Sequence, residues 1–449
     1  MSLARTVARN SLWSGLDMLV DMVLPPVMSI IVARALGPAK LGAFSYVTWV
    51  ATTVTALSAT GVSRAAATYM AEYAGKRRPD VFRALLRSCL GGLVVVQATL
   101  TLLALGWANL ALSSEERLFA SLTMLSIFPG GIMFMATSVN NAVQELRPNV
   151  VASISSGLAH TIGLLLTVVF GWGLVGLAAA ILVSRTCDCL VRWKLTWARL
   201  PEYLKAMGHD PTLPGQRPRL PPGMGRQIVA FVGEATVLTL LTLVVWNRSE
   251  MLFLKRYSSL EQVAYFSVAF GLSLLPGQIV GPFSRAASVS VYAEHGRDAE
   301  AGLRVACLYW RYLILLLMPT CLGLSVLSGP LLRVLYGVRY YDAAPVLMVA
   351  GAMSMFAPLA NPATSLITAA GGQRRLVGAS LFAAAATLAL DYFLVRAYAA
   401  LGGAWANGIG QAVSTVLVMI LARRYALSFS SWFSLRVTAA SLIMALVVA

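Results

Sequence analysis

Long apolar runs recur along the whole chain and restrict it to folds that pack helices inside a membrane. Thirteen of these runs are each long enough, at about 20 residues, to cross the hydrocarbon layer as a helix. They are residues 12–33, 41–60, 85–107, 118–140, 149–171, 173–191, 228–254, 262–283, 306–328, 343–367, 376–398, 401–422 and 432–449. Hydrophobic residues make up 58% of the chain and charged residues only 12%, against about 25% charged in a soluble domain. This composition excludes an ordinary water-soluble enzyme and predicts an all-α polytopic membrane protein.

Basic residues fall mainly on one side of the predicted spans. The chain has 35 Lys and Arg against 18 Asp and Glu, a net charge of +17. With the N-terminus inside, 26 basic residues lie on inner segments and nine on outer ones, so the positive-inside rule predicts a cytoplasmic N-terminus. The nine outer residues are Arg34, Lys40, Arg117, Arg248, Lys255, Arg256, Arg333, Arg339 and Arg396. A basic excess of this kind is typical of cytoplasmic loops, and we expect no binding of nucleic acid.

The two halves of the chain resemble each other at a shift of about 222 residues, which predicts an internal duplication. Ser63-Arg64-Ala65-Ala66 recurs as Ser284-Arg285-Ala286-Ala287, and Arg34 aligns with Arg256. The alternative is chance similarity between Ala-rich helices. Each half holds six spans and so enters the membrane in the same direction, which makes the repeat a parallel one. Parallel repeats are typical of transporters.

A proline-rich basic segment separates the two halves. Residues 195–227 contain six prolines among basic residues, which favours a cytoplasmic linker that lies against anionic lipid headgroups and lets one bundle rock against the other. The predicted domains are a six-helix bundle at 1–194, the linker at 195–227, a second six-helix bundle at 228–422 and an additional span at 423–449.

Acidic residues inside the spans are candidate functional residues, because a charge in hydrocarbon is costly unless it faces water or a partner. Asp17 and Asp21 lie four residues apart on one face of the first span. Glu234 and Arg248 lie fourteen residues apart in the seventh span, which places them within about 40° of each other on one continuous helix. We predict that Asp17, Asp21 and Glu234 couple transport to protons or sodium ions. The alternative for Asp17 is a position in the inner membrane interface.

Arginines near span ends are candidate binding residues for a phosphate-bearing substrate, because the guanidinium group binds phosphate in a bidentate geometry. Arg248 lies deep in its span; the alternative is a residue that snorkels to the interface and pairs with the carboxylate two residues on. Arg64 and Arg285 are predicted to flank the inner mouth of a central cleft, or else to contact lipid phosphates. Arg34 and Arg256 are the corresponding pair at the outer mouth, with the same alternative.

Other residues predict where the chain bends and what it does not bind. Pro25 and Pro26 follow the Asp pair and are the predicted hinge. His160 and Asp391 are isolated polar residues in apolar spans, and each is either a packing residue or a proton carrier. The sequence has no Walker A motif, no Gly-rich dinucleotide loop and no metal-binding spacing of Cys or His. We therefore expect no metal or cofactor other than a coupling ion, H⁺ or Na⁺.

Several short motifs resemble the multidrug, oligosaccharidyl-lipid and polysaccharide exporter superfamily. They are Asn10-Ser11-Leu12-Trp13, Ala33-Arg34-Ala35-Leu36-Gly37-Pro38 followed by Leu41-Gly42, and Asn247-Arg248-Ser249-Glu250. Two further motifs, Leu335-Tyr336-Gly337 with Tyr340 and Ala343-Ala344, and Gly402-Gly403-Ala404, resemble its polysaccharide-transporter, O-antigen flippase-like branch. The resemblance covers nearly the whole chain, and the order and spacing of the motifs carry it.

The resemblance implies two pseudo-symmetric six-helix bundles in a V arrangement with an additional C-terminal helix. It implies a flippase, not an enzyme, that moves polyprenyl-pyrophosphate-linked oligosaccharide across the bacterial inner membrane by alternating access. The expected partners are this lipid-linked substrate, anionic membrane lipids, a glycan polymerase and assembly proteins, and we expect a monomer. Two alternatives remain open, a cation-coupled multidrug exporter of the same fold and a membrane-embedded glycan polymerase.

Overall fold

The computed structural model describes residues 25–111, 114–208, 220–246, 248–425 and 431–448, and these residues form helices and turns with no strand. Asp17 and Asp21 lie outside the described residues. The helices in the first half are α1 (Pro25–Leu36), α2 (Pro38–Gly75), α3 (Pro79–Ala111), α4 (Ser114–Leu125), α5 (Ile127–Ala142), α6 (Arg147–Phe170), α7 (Gly173–Ala206) and α8 (Met224–Trp246).

The second half contains both short and long helices. Its helices are α9 (Glu250–Tyr257), α10 (Leu260–Ser273), α11 (Leu275–Arg297), α12 (Ala299–Val326), α13 (Ser328–Leu335), α14 (Ala344–Met353), α15 (Phe356–Leu359), α16 (Asn361–Ala369), α17 (Gln373–Leu390), α18 (Arg396–Arg423) and α19 (Ser431–Val448). A 3₁₀ turn at Val338–Ala343 precedes α14, and a π-helical turn at Asp391–Val395 joins α17 to α18. The predicted all-α fold is confirmed.

Nine helices in the described part of the chain are long and apolar enough to cross a membrane. One of them, Gln373–Arg423, contains two of the predicted spans. These two spans are separated at Ala399, whose backbone departs from helical geometry with a φ of 49°. The predicted continuous span at 228–254 is wrong, because α8 ends at Trp246 and α9 begins only at Glu250.

Prolines lie just after other interruptions of the spans. Pro276 occupies the first turn of α11 and Pro362 the first turn of α16. A proline there removes a backbone donor that has no helical partner, so the new helix begins at no cost in hydrogen bonds. Together α10 and α11 cover the same length as the uninterrupted α2, 38 residues, in the register of the predicted repeat. Pro25 and Pro26, the predicted hinge, begin the described part of α1, and the residues before them lie outside the described residues.

The chain divides into two compact units. The first contains Val47–Leu240 and the described residues up to Met28; the second contains Ser29–Tyr46 and the chain from Leu241 onwards. The segment 195–227, predicted as a linker, is helical up to Ala206, where α7 ends. Each unit has its own apolar core, which includes Met70, Phe82 and Leu85 in the first unit. In the second unit, Tyr309 and Leu313 belong to the core.

A buried ion pair joins three helices of the first unit. On α7, Arg192 Nε donates to Asp188 Oδ1 at 2.7 Å, and both residues are only 6% exposed. The same guanidinium donates to Thr137 of α5 at 3.2 Å, and Ser156 of α6 donates to the other Asp188 oxygen at 3.4 Å. Because both charges are hydrogen-bonded, the pair holds α5, α6 and α7 in register.

Removing one partner of this pair is expected to destabilise the first unit strongly. Arg192→Met leaves the Asp188 carboxylate buried without a cation, and we expect the free energy of unfolding in mixed detergent micelles to fall by about 3–5 kcal/mol. Arg199→Met is the matched control, because Arg199 and Glu145 form a more exposed pair at 3.2 Å worth about 0–1 kcal/mol. Equal losses in the two variants would contradict a structural role of the buried pair.

Candidate functional site

The interruption between α8 and α9 brings two acidic residues together in the interior of the second unit. Glu250 is the first residue of α9 and is fully buried. Asp391, also fully buried, begins the π-helical turn after α17. Ser249 precedes α9, and its hydroxyl donates to Asp391 Oδ2 at 2.9 Å. Residues that lie 142 positions apart in sequence therefore form one site.

A chain of amides on α18 connects Glu250 to a cavity. Asn407 Nδ2 donates to Glu250 Oε1 at 2.8 Å, and Gln411 Nε2 donates to Asn407 Oδ1 at 2.7 Å. Asn407 and Gln411 also line a cavity of about 90 Å³ inside the second unit, with Phe270 and Met353 among the other lining residues. The cavity therefore lies at the end of the hydrogen-bonded chain that leads to the buried carboxyl group.

Each of the two carboxyl groups keeps one oxygen without a donor. Glu250 Oε2 and Asp391 Oδ1 are buried and have no hydrogen-bond partner among the described residues. Two carboxylates that interact with each other in a medium of low dielectric raise the energy of the doubly ionised state. The arrangement therefore favours the uptake of a proton or a monovalent cation. Groups of three or more His, Cys, Asp or Glu that could hold a metal ion do not occur among the described residues.

Arg248 places a positive charge beside this acidic pair. Its guanidinium lies 5.0 Å from the centre of the Phe270 ring, in cation–π geometry, and it interacts electrostatically with Glu250 and Tyr336. The half-buried side chain forms no ion pair within 4.0 Å to another described residue. Phe270 lines the same cavity as Asn407 and Gln411. Arg248 and Glu250 thus each contact a residue that lines the same cavity.

The other acidic residue and the prolines predicted from sequence lie elsewhere. Glu234 is exposed on α8, in the first unit. The prediction that Glu234 and Arg248 share one face of a continuous helix is wrong, because α8 ends at Trp246 between them. Pro25 is exposed and Pro26 half-buried at the described start of α1.

The remaining arginines predicted from sequence are at surfaces. Arg64 in the first unit and Arg285 in the second are both exposed. Arg256 is exposed on α9, with its guanidinium 5.8 Å from the Tyr257 ring. Arg34 donates from Nε to the carbonyl oxygen of Leu335 at 2.8 Å and also bonds to the carbonyl of Val334. It therefore satisfies carbonyls at the C-terminal end of α13, a position that favours a cation.

The sequence did not predict that Glu250 and Asp391 lie together as a pair. It identified Asp391 as an isolated polar residue and treated Glu250 only as a partner of Arg248. The signal was the presence of two acidic residues in apolar segments of the second half, but their meeting depends on the break after α8 and on the π-helical turn. π-helical turns occur frequently at functional sites.

The family and the solved structures that resemble the chain fit this architecture. A family model described as polysaccharide biosynthesis protein matches residues 7–294, more than half of the chain. The protein therefore belongs to this polysaccharide biosynthesis family. The resemblance to the exporter superfamily found in the sequence is confirmed. None of the curated proteins is similar to the chain in sequence at a significant level.

Solved structures share the fold at low sequence identity. The lipid II flippase MurJ, in an inward closed conformation, has a TM-score of 0.75 and 16% identity over 98% of this chain and 92% of that chain. A multidrug resistance MATE family transporter of the MOP superfamily, in an inward-facing conformation, has a TM-score of 0.69 and 16% identity over 90% of this chain and 94% of that chain. A MOP superfamily transporter from Pyrococcus furiosus has a TM-score of 0.66 and 15% identity over 94% and 95% of the two chains.

Neutralising the acidic pair is expected to remove a cation-dependent gain in stability. A ligand that binds only the folded state stabilises it by about 2.7 kcal/mol at a hundred times its Kd. We expect either added Na⁺ or lowered pH to raise the thermal unfolding temperature of the wild type in detergent. Neither condition is expected to do so in the double variant Glu250→Gln/Asp391→Asn.

The matched control for this measurement is Glu261→Gln/Glu300→Gln, which removes two exposed carboxylates of the same unit. Choline chloride in place of NaCl keeps the ionic strength constant. The control is expected to respond to the cation as the wild type does. Identical responses of the wild type and the Glu250→Gln/Asp391→Asn variant would contradict cation uptake at this site.

Proposed function

We propose that the protein is a flippase that moves polyprenyl-pyrophosphate-linked oligosaccharide from the inner to the outer leaflet of the bacterial cytoplasmic membrane by alternating access. The observation that carries this proposal is Arg248, which interacts electrostatically with the buried Glu250 and lies over the ring of Phe270, a residue that lines the cavity. Membership of a polysaccharide biosynthesis family and a fold shared with the lipid II flippase support it. We propose transport without an enzymatic step.

Arg248 is the residue proposed to bind the pyrophosphate. A guanidinium group without a carboxylate within ion-pair distance is available for an anion, and its planar donors fit two phosphate oxygens. The ring of Phe270 fixes the guanidinium plane from one face. Pyrophosphate bound there would bring further negative charge near Glu250, so binding of the substrate and of a cation at the acidic pair should favour each other.

The proposed coupling ion is a proton or a sodium ion. Either one would neutralise the charge that Glu250 and Asp391 share, and the two carboxyl oxygens without a donor are available to it. Asp17, Asp21 and Glu234 remain predicted coupling residues of the first half. Arg64, Arg285, Arg34 and Arg256 likewise remain predicted substrate-binding residues.

The proposal includes a location and partners. We place the protein in the bacterial inner membrane with a cytoplasmic N-terminus, because the basic residues are distributed unevenly between the two sides. We propose that it acts as a monomer in contact with anionic lipids. A glycan polymerase and assembly proteins are proposed to take the product on the outer side.

A cation-coupled multidrug exporter is the second candidate function. The buried acidic pair favours it, because carboxylates suit organic cations, and a MATE family transporter shares the fold. Arg248 argues against it, since a buried guanidinium group repels a cationic drug. A survival assay with toxic organic cations separates the two, because only a drug exporter raises the tolerated concentration.

Arg248→Ala is expected to abolish export of the glycan while the protein still accumulates in the membrane. The variant removes the proposed phosphate ligand, and loss of a charge-assisted bidentate contact costs about 2–5 kcal/mol, a fall of at least about 30-fold in rate. Arg333→Ala, which removes an exposed arginine of the same unit, is expected to export normally. The measurement is surface glycan per unit of membrane-inserted protein. Normal export by Arg248→Ala would refute the assignment.

A further inference from the structure

A cluster of cations and tyrosines covers the exposed side of α9 and the π-helical turn. Its members, which we call the cation–tyrosine patch, are Tyr46, Lys255, Arg256, Tyr257, Tyr392 and Arg396. All six belong to the second unit. The patch lies outside the buried pair of carboxyl groups, although it is built on the same two segments.

Side-chain contacts form two groups within the patch, which meet at the neighbouring residues Lys255 and Arg256 of α9. Lys255 Nζ lies 5.8 Å from the centre of the Tyr46 ring, and Arg256 Cζ lies 5.8 Å from that of Tyr257. The rings of Tyr257 and Tyr392 meet edge to face at 6.2 Å, and Arg396 donates to the Tyr392 hydroxyl at 3.4 Å. Tyr257 and Tyr392 are each about 40% exposed. Rings that are fixed in place and open on one face are suited to stacking against a flat ligand.

The positive charge of the patch is not neutralised by neighbouring carboxylates. Lys255, Arg256 and Arg396 form no ion pair within 4.0 Å to another described residue. Like charges on one surface repel one another. An anion bound among them relieves this repulsion, so the patch has the charge complementarity of an anion-binding surface.

Cations that the sequence predicts to face outward are concentrated in the second unit. Of the nine basic residues assigned to outer segments from sequence, eight lie in this unit and only Arg117 lies in the first. Insertion of the chain into the membrane disfavours basic residues on the outer side. Their retention in one unit therefore points to a role that the other unit does not share, and a general affinity for lipid phosphates would not distinguish the two units.

We propose that the cation–tyrosine patch binds carboxylate-bearing sugars of the substrate head, so that the protein transports lipid-linked oligosaccharides with an acidic glycan. This inference rests on the proposed flippase function. Arginine binds a carboxylate through two parallel hydrogen bonds, and the tyrosine rings offer apolar faces to the C–H side of a sugar. Phosphate binding alone needs donors and no rings, so the tyrosines favour the sugar over a lipid headgroup.

The position of the patch fits a single extended substrate head. The eight residues of α9 run from Glu250 to Tyr257, which is about 10 Å along a helix. This distance is short enough for a pyrophosphate at Arg248 and a sugar at the patch to belong to one substrate molecule. Asp391 begins the π-helical turn and Tyr392 follows it, so a sugar bound at the patch contacts both segments that hold the acidic pair.

The test measures binding of soluble glycans to the purified full-length protein in detergent by calorimetry. The probes are hexagalacturonate, in which every sugar carries a carboxylate, and the neutral maltohexaose. We expect the wild type to bind hexagalacturonate more tightly than maltohexaose, with an affinity that falls as salt is added. The variant Lys255→Gln/Arg256→Gln/Arg396→Gln is expected to bind hexagalacturonate about tenfold more weakly or worse.

A matched variant controls for loss of charge alone. Arg374→Gln/Arg423→Gln/Arg424→Gln removes three exposed positive charges from another part of the same unit, and it is expected to bind hexagalacturonate as the wild type does. Should the patch variant fail to fold, Arg396→Gln and Tyr392→Leu are used singly, and each is expected to weaken binding about threefold. Folding of every variant is checked by its thermal unfolding temperature.

Three results would overturn the proposal. The first is equal binding of hexagalacturonate and maltohexaose, the second is unchanged hexagalacturonate binding in the patch variants, and the third is displacement of hexagalacturonate by an equal concentration of glycerol 1-phosphate. The third result would assign the patch to lipid phosphate. None of them bears on flipping itself, which is measured separately with Arg248→Ala.

Discussion

Two carboxyl groups in the apolar interior of the second unit impose the strongest physical constraint on this molecule. Glu250 and Asp391 are fully buried, each is satisfied at one oxygen by a single donor, and each keeps a second oxygen without a donor among the described residues. Burial of two unneutralised carboxylates costs several kcal/mol. The second unit can offset this cost only where a positive charge or a proton is available. Arg248 provides a positive charge, and the cavity beside Asn407 gives a proton access to the site.

In the first unit, the buried carboxylate is neutralised by a cation of the same unit. Its buried Asp188 is bonded to Arg192 and to a hydroxyl group, so the charge is compensated within the unit. An ion pair of this kind holds helices together. Its charges already neutralise each other, so it does not favour the uptake of another ion. This contrast gives the buried charges of the first unit a packing role and supports the proposal that those of the second exchange a cation.

The sequence was sufficient for the class of fold and for part of the site. Apolar run length predicts helices that cross a membrane, and Arg248 stands out because a guanidinium group within such a run is costly. The acidic pair could not be predicted from the sequence, since it depends on the interruption between α8 and α9 and on the π-helical turn at Asp391. Both are local departures from helical geometry, and the pattern of apolar residues in the sequence does not predict them. Arg34 gives a second example, because the carbonyls of α13 to which it donates lie about 300 residues away and no local pattern indicates that contact.

The most direct test of the central claim is the rate of flipping of a fluorescent polyprenyl-pyrophosphate-linked oligosaccharide in proteoliposomes, with proton and sodium gradients imposed and then collapsed by ionophores. If the acidic pair exchanges a cation during transport, collapse of one of the gradients changes the wild-type rate, and the Glu250→Gln/Asp391→Asn variant shows no such change. A wild-type rate that is the same with both gradients present and with both collapsed would contradict the claim.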